Sequence, residues 1–114
     1  MEKTDLKLLY GDNADAARDR YRYIEKRFAG SFGGDAMFFS APGRTEVGGN
    51  HTDHNRGRVL AAAVGLDVAA AVRPDDSGLI RIKSEGFSDD TVDISDLTVH
   101  EEEKNTSAAL IRGV

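Results

Sequence analysis

At 114 residues the chain has the length of one domain or part of one, and its 39% apolar and 31% charged residues match a globular chain with one modest core. The net charge of −5, from 20 acidic against 15 basic residues with no dense lysine or arginine cluster, argues against a nucleic-acid partner. The absence of cysteine removes disulfides and thiolate metal sites, and no apolar run approaches the roughly 20 residues of a membrane span.

In chain order, Met1 to Lys7 is too polar to read as a signal peptide. Between Asp12 and Ala29 the apolar positions Ala14, Ala17, Tyr21, Ile24 and Phe28 recur at steps of three and four, with Arg18, Asp19, Arg22, Glu25 and Lys26 left for solvent. That spacing predicts an amphipathic packing helix. Asp12 or Asn13 is expected to cap its start, Lys26 and Arg27 to complement its C-terminal dipole, and Gly30 to supply a left-handed stop. Ala36 to Ser40 then predicts a short buried strand, and Ala41 to Gly57 an irregular polar loop. Arg58 to Val64 and Leu66 to Arg73 are apolar and continuous, and predict two core strands with Gly65 at the junction.

Pro74 to Gly78 has the composition of a turn and leads into Leu79 to Lys83, where apolar and basic residues alternate; a hairpin of Leu66–Arg73 with Leu79–Lys83 is expected. Thr91 to Ile94 gives a candidate fifth strand. After the acidic segment Glu101 to Asn105, Thr106 or Ser107 can cap a helical pattern, Ala108 to Arg112. That pattern lasts about two turns, so residues 1–114 are expected to be a partial domain cut through a helix. The fold class is α+β or α/β, a mixed sheet with antiparallel pairing and a flanking helix.

The chemistry concentrates in Ala41-Pro-Gly-Arg-Thr-Glu-Val-Gly-Gly-Asn-His-Thr-Asp-His-Asn-Arg-Gly57. Asn50, His51 and Asp53 together donate and accept hydrogen bonds, as a ring of sugar hydroxyls requires. Arg44 is a permanent cation suited to charge on a transferred phosphoryl group, or to an ion pair with Glu46 or Asp53 that shapes the loop. Gly43, Gly48 and Gly49 suit positive φ or close backbone approach, and the pattern G-x-x-x-x-G-K-[ST] is absent. A second reading takes His51, Asp53 and His54 as ligands of a metal-dependent hydrolase, with His100 the only further histidine in the sequence.

This segment resembles the signature of the galactokinase family, within the GHMP small-molecule kinases, whose usual form is close to APGRVNLIGEHTDYNGG. Ala41, Pro42, Gly43, Arg44, Gly49, His51, Thr52, Asp53, Asn55 and Gly57 fall in register without a gap. Arg27 to Gly34 resembles the helix end and turn that precede the signature in the family, and Leu60 to Arg73 the strand pair that follows it.

The resemblance implies the N-terminal part of a galactokinase, with a fold like ribosomal protein S5 domain 2. Such an enzyme transfers the γ-phosphate of ATP, with Mg2+, to the C1 hydroxyl of α-D-galactose. It implies Arg44 as the catalytic cation beside the anomeric hydroxyl and the incoming phosphate. Asn50, His51 and Asp53 match sugar-contacting positions, although the position of Asn50 ordinarily carries glutamate. Glu46 and His54 depart from the usual asparagine and tyrosine. The family's glycine- and serine-rich nucleotide loop and its catalytic aspartate have no match in these residues. The segment alone is therefore expected to bind sugar without phosphorylating it and to hold neither ATP nor a metal. A galactose sensor built on the same fold is the alternative, and a cytoplasmic location, with no nucleic-acid or membrane partner, is expected.

Overall fold

The structure is a computed structural model that describes residues 6–49 and 55–114. It divides into two compact units, Met1–Arg73 and Pro74–Val114.

In the first unit, helix α1 (Leu6–Tyr10) and a 3-10 turn (Gly11–Asn13) lead into helix α2 (Ala14–Phe32). The amphipathic spacing is realised: Ala14 and Ala17 are buried. The ends differ from expectation. Asn13 occupies the cap position but makes no side-chain capping bond, because α1 and the 3-10 turn already feed the chain into the helix. Gly30 lies within α2, which continues to Phe32; the Phe28 and Phe32 rings pack one turn apart, with centroids 5.3 Å apart. The left-handed stop falls to Gly33, at φ 67°. Lys26 and Arg27 therefore sit short of the last turn, which carries no basic residue.

Strand β1 (Met37–Gly48) and strand β2 (Leu60–Val72) form an antiparallel ladder from Met37↔Val72 to Gly48↔Leu60. The strand expected to end at Ser40 thus runs through Gly48 and takes up the first half of the signature, where Thr45 and Val47 suit extended backbone. The two strands expected on either side of Gly65 are one strand, with Gly65 inside a register irregularity rather than at a turn.

The ladder has two unlike faces. Along β2, Asp67, Ala69 and Ala71 are partly covered while Val68, Ala70 and Val72 are exposed. Phe38 on the covered face meets Tyr21 of α2 edge-on, with ring centroids 5.7 Å apart. On the other face Met37, Phe39 and Val68 remain open, so these are not the doubly buried strands that a continuous apolar run predicts. At the base, Arg73 donates from Nη1 to the carbonyl of Gly33 at 2.9 Å, tying the end of β2 to the turn after α2.

In the second unit, strand β3 (Leu79–Ile82) pairs antiparallel with strand β4 (Asp90–Asp93), followed by a 3-10 turn (Glu101–Glu103) and helix α3 (Ser107–Gly113). The expected hairpin between Leu66–Arg73 and Leu79–Lys83 does not form: β2 takes β1 as its partner and β3 takes β4. Long matched strands offer many more ladder bonds to each other than β2 could gain from a four-residue neighbour. Val92 is buried, and Thr106 caps α3 by accepting from the Ala109 amide at 3.5 Å, as expected. The class is α+β; in place of one mixed sheet, the described residues form two separate antiparallel pairs.

Candidate functional site

Residues 41–48 of the signature form the distal part of strand β1. Arg44 lies on β1 opposite Ala63, and Glu46 lies opposite Ala61. Two residues apart on a strand, they share a face. Their side chains approach at 3.9 Å, with 72% of Arg44 and 22% of Glu46 exposed. An ion pair that long and that open contributes little to stability. Of the two partners expected for Arg44, the structure supplies Glu46, and the guanidinium remains accessible.

The neck of the loop is drawn tight. Gly48 pairs with Leu60, and Gly49 follows at φ 83°, where a Cβ would overlap the carbonyl oxygen of Arg58. Only glycine meets both conditions. Gly43 meets the close-approach condition alone: a Cβ there would lie 3.1 Å from Val64 Cγ2 and 3.4 Å from the Leu66 carbonyl oxygen. Gly48 meets neither, being outside the left-handed region with open space around it. On the return side of the loop Arg56 adopts φ 61°, which is uncommon for a side chain of that size. Asn50, His51 and Asp53, and with them His54, lie outside the described residues. Arg44 is therefore the one predicted site residue that the structure places. Among the described residues, no group of three or more His, Cys, Asp or Glu is arranged to hold a metal ion, and no helix is long and apolar enough to cross a membrane.

A polar cluster that the motif does not mark lies beside the signature, centred on Asp67. Its carboxylate accepts from Ser40 Oγ at 2.5 Å, from Arg20 Nη1 at 2.5 Å and from the Tyr10 hydroxyl at 2.8 Å. Arg20 Nη2 also donates to the Asp67 carbonyl at 3.0 Å, and the Tyr10 and Tyr21 hydroxyls are hydrogen-bonded at 2.9 Å. The bond from Ser40, then those from Arg20 and Tyr10, hold the Asp67 carboxyl down at about 2. Burial, followed by the bond with Tyr21, pushes the Tyr10 phenol up to about 12. The sequence carried one signal for this cluster: Asp67 is the only charged residue in the run Leu60–Val72, and a carboxylate on a covered strand face needs partners.

Residues 26–74 match the family model described as the galactokinase galactose-binding signature. The chain is 43% identical over 68 residues to the galactokinase of Streptococcus mutans, covering 58% of this chain and 17% of that protein. It is 44% identical over 50 residues to the galactokinase of Bacillus subtilis, covering 44% and 13%. With the galactokinase of Candida parapsilosis the identity is 31% over 106 residues, covering 89% of this chain and 21% of that protein. The chain thus spans less than a quarter of the length of these curated relatives. No solved structure matches it significantly. Residues 26–74 thus carry a galactokinase galactose-binding signature, and the N-terminal part of the chain is similar to several galactokinases.

Proposed function

We propose that this chain supplies the sugar-binding hairpin of a cytoplasmic GHMP-type galactokinase, which transfers the γ-phosphate of ATP, with Mg2+, to the C1 hydroxyl of α-D-galactose. One observation supports the reading above the rest: Arg44 is presented, accessible, on strand β1, which runs directly into the glycine-locked neck of the signature loop. A cation carried on a strand is placed more precisely than one on a loop, beside the loop that holds the ligand.

In this reading Asn50, His51 and Asp53 hold the sugar by matching its hydroxyls, and a misplaced hydroxyl leaves buried polar groups unpaired, which is how epimers are rejected. Arg44 stabilises negative charge on the phosphoryl group as it passes to the anomeric oxygen. Its exposed guanidinium fits a phosphate oxygen pair, and Glu46 at 3.9 Å is too far to neutralise it through a close bond. ATP supplies the phosphoryl group, and Mg2+ the neutralisation of its oxygens. Among the described residues Arg44 offers an exposed guanidinium that suits the nucleotide's phosphate, and no group of three or more His, Cys, Asp or Glu is arranged to hold a metal ion. Asn50, in place of a charged glutamate, keeps hydroxyl contact through an amide that donates as well as accepts.

Calorimetry on the full-length protein tests the sugar site. Galactose should bind more tightly than glucose or N-acetylgalactosamine, and Asp53→Ala should weaken binding by on the order of 100-fold or more. Unaltered affinity in Asp53→Ala would remove the assignment. Galactose binding without any phosphoryl transfer would favour the sensor built on the same fold.

A further inference from the structure

The β1–β2 ladder is interrupted at one place on the approach to Arg44. Pro42 pairs with Asp67 and Arg44 pairs with Ala63, so two steps along β1 are matched by four along β2. The two extra residues on β2 form a bulge at Val64, Gly65 and Leu66, facing Gly43. Because the excess is even, the alternation of sides is preserved, and Arg44 leaves the strand on the same side as Ser40 and Pro42. A bulge bends its strand, raises the local twist and redirects neighbouring side chains, and it lacks the ladder bonds that would hold it in one geometry.

Asp67 occupies the last regular pair before that bulge. Its carboxylate gathers Tyr10 from α1, Arg20 from α2 and Ser40 from β1, and Arg20 also grips its carbonyl oxygen. Three separate segments are thus fastened to the one residue at which the bend begins. Charge-assisted bonds to a largely buried carboxylate are directional and stiff, and only 11% of the Asp67 side chain is exposed.

We propose that Asp67 is a positioning residue for the reaction: by pinning the flank of the bulge to α1, α2 and Ser40, it sets the direction in which Arg44 faces the transferred phosphoryl group. The inference rests on the reading of Arg44 as the phosphate-facing cation. Asp67 itself touches neither sugar nor nucleotide in this scheme. Its effect passes through Arg44, and that separates it from a residue that only stabilises the fold.

A double-mutant cycle on the full-length protein tests this, with turnover measured per folded molecule well below the melting midpoint. Asp67→Asn should lower turnover by on the order of tenfold, as a small misplacement of a positioned group does. In an Arg44→Ala background, the same change should alter turnover less than about twofold, since the group it positions is gone. Wild-type turnover in Asp67→Asn, or a loss that multiplies in full onto that of Arg44→Ala, would overturn the proposal.

Amide exchange provides a readout independent of activity and of Asp67→Asn folding. Both Asp67→Asn and the milder Ser40→Ala should accelerate exchange at Gly43, Arg44 and Val64 to Leu66 while leaving the middle of α2 protected. Unchanged exchange at the bulge in Ser40→Ala and in any folded Asp67→Asn protein would also overturn it. If Arg44→Ala proves fully active, it is the reading of Arg44 that has failed, and the proposal fails with it even where exchange shows Asp67 holding the bulge.

Discussion

The two units of the chain face the same shortage of core and meet it with the same device, an arginine that ties segments together. Among the described residues the buried apolar side chains are Ala14 and Ala17 in the first unit and Val92 in the second. In the first unit Arg20 holds the carboxylate and carbonyl of Asp67. In the second, Arg112 donates to both Glu103 oxygens, at 2.8 and 3.1 Å, and to the carbonyls of Asp93 and Asp96. The difference lies in what is tied. Arg112 fastens α3 to the end of β4 and the loops around it, which serves the unit's own fold. Arg20 fastens α2 to a strand residue at the edge of a bulge, one pair away from the signature cation. With so little apolar area buried, directional charge-assisted bonds fix geometry, and only in the first unit does that geometry adjoin the candidate site.

Substitutions that break each tie separately should sharpen this contrast. The largest effect is expected at the neck of the loop, where Gly49→Ala forces a Cβ into the Arg58 carbonyl at a positive φ. A cost on the order of 3 kcal/mol is expected, seen as a lower unfolding midpoint of the first unit together with weaker galactose binding. Asp67→Asn comes next, at about 2 kcal/mol for the loss of a charge-assisted network. Tyr10, Tyr21 and Tyr23 are the chain's only tyrosines and it has no tryptophan, so intrinsic fluorescence of the 114-residue chain reports this unit without interference from the other.

Acid should expose the same carboxylate. The folded Asp67 carboxyl is held at about 2 against an ordinary 3.8, so ionised Asp67 favours the folded state above about pH 4. That contribution is lost as pH falls towards 2, and Asp67→Asn should flatten this limb of the tyrosine-detected stability curve. A variant that kept the wild-type acid dependence would assign the limb to other carboxylates.

In the second unit, Arg112→Ala should lower the midpoint of local unfolding by roughly 5 °C while changing galactose affinity less than about twofold. A large loss of affinity there would erase the distinction between the two ties. Thr106→Ala should have the smallest effect, about 1 kcal/mol from the loss of the α3 cap, measurable as faster amide exchange in its first turn.

These contrasts were unevenly written in the sequence. The spacing of Ala14, Ala17, Tyr21, Ile24 and Phe28 specified α2 because a helix buries one stripe, and Thr106 announced α3 because its oxygen can reach a first-turn amide. Gly30 misled because glycine permits a left-handed stop without compelling one, and the Phe28–Phe32 contact carried the helix on to Gly33. Gly43 and Gly65 suggested loop and junction, whereas both serve a bulge inside a continuous ladder. Strand partners were the least legible, since local turn composition at Pro74 to Gly78 favoured a pairing that the long β1–β2 ladder overrode. The signature named its residues through resemblance. The Asp67 cluster could be named only once distant segments were seen to converge, because nothing local joins Tyr10 and Arg20 to position 67.

The most direct measurement is phosphoryl transfer from ATP to galactose by wild type and Arg44→Ala of the full-length protein, with galactose affinity determined on the same samples. The account predicts turnover reduced by on the order of 100-fold or more with affinity changed only a few-fold, the signature of a group that acts on the transition state rather than on sugar binding. Undiminished turnover in Arg44→Ala, or a loss confined to galactose affinity, would contradict it.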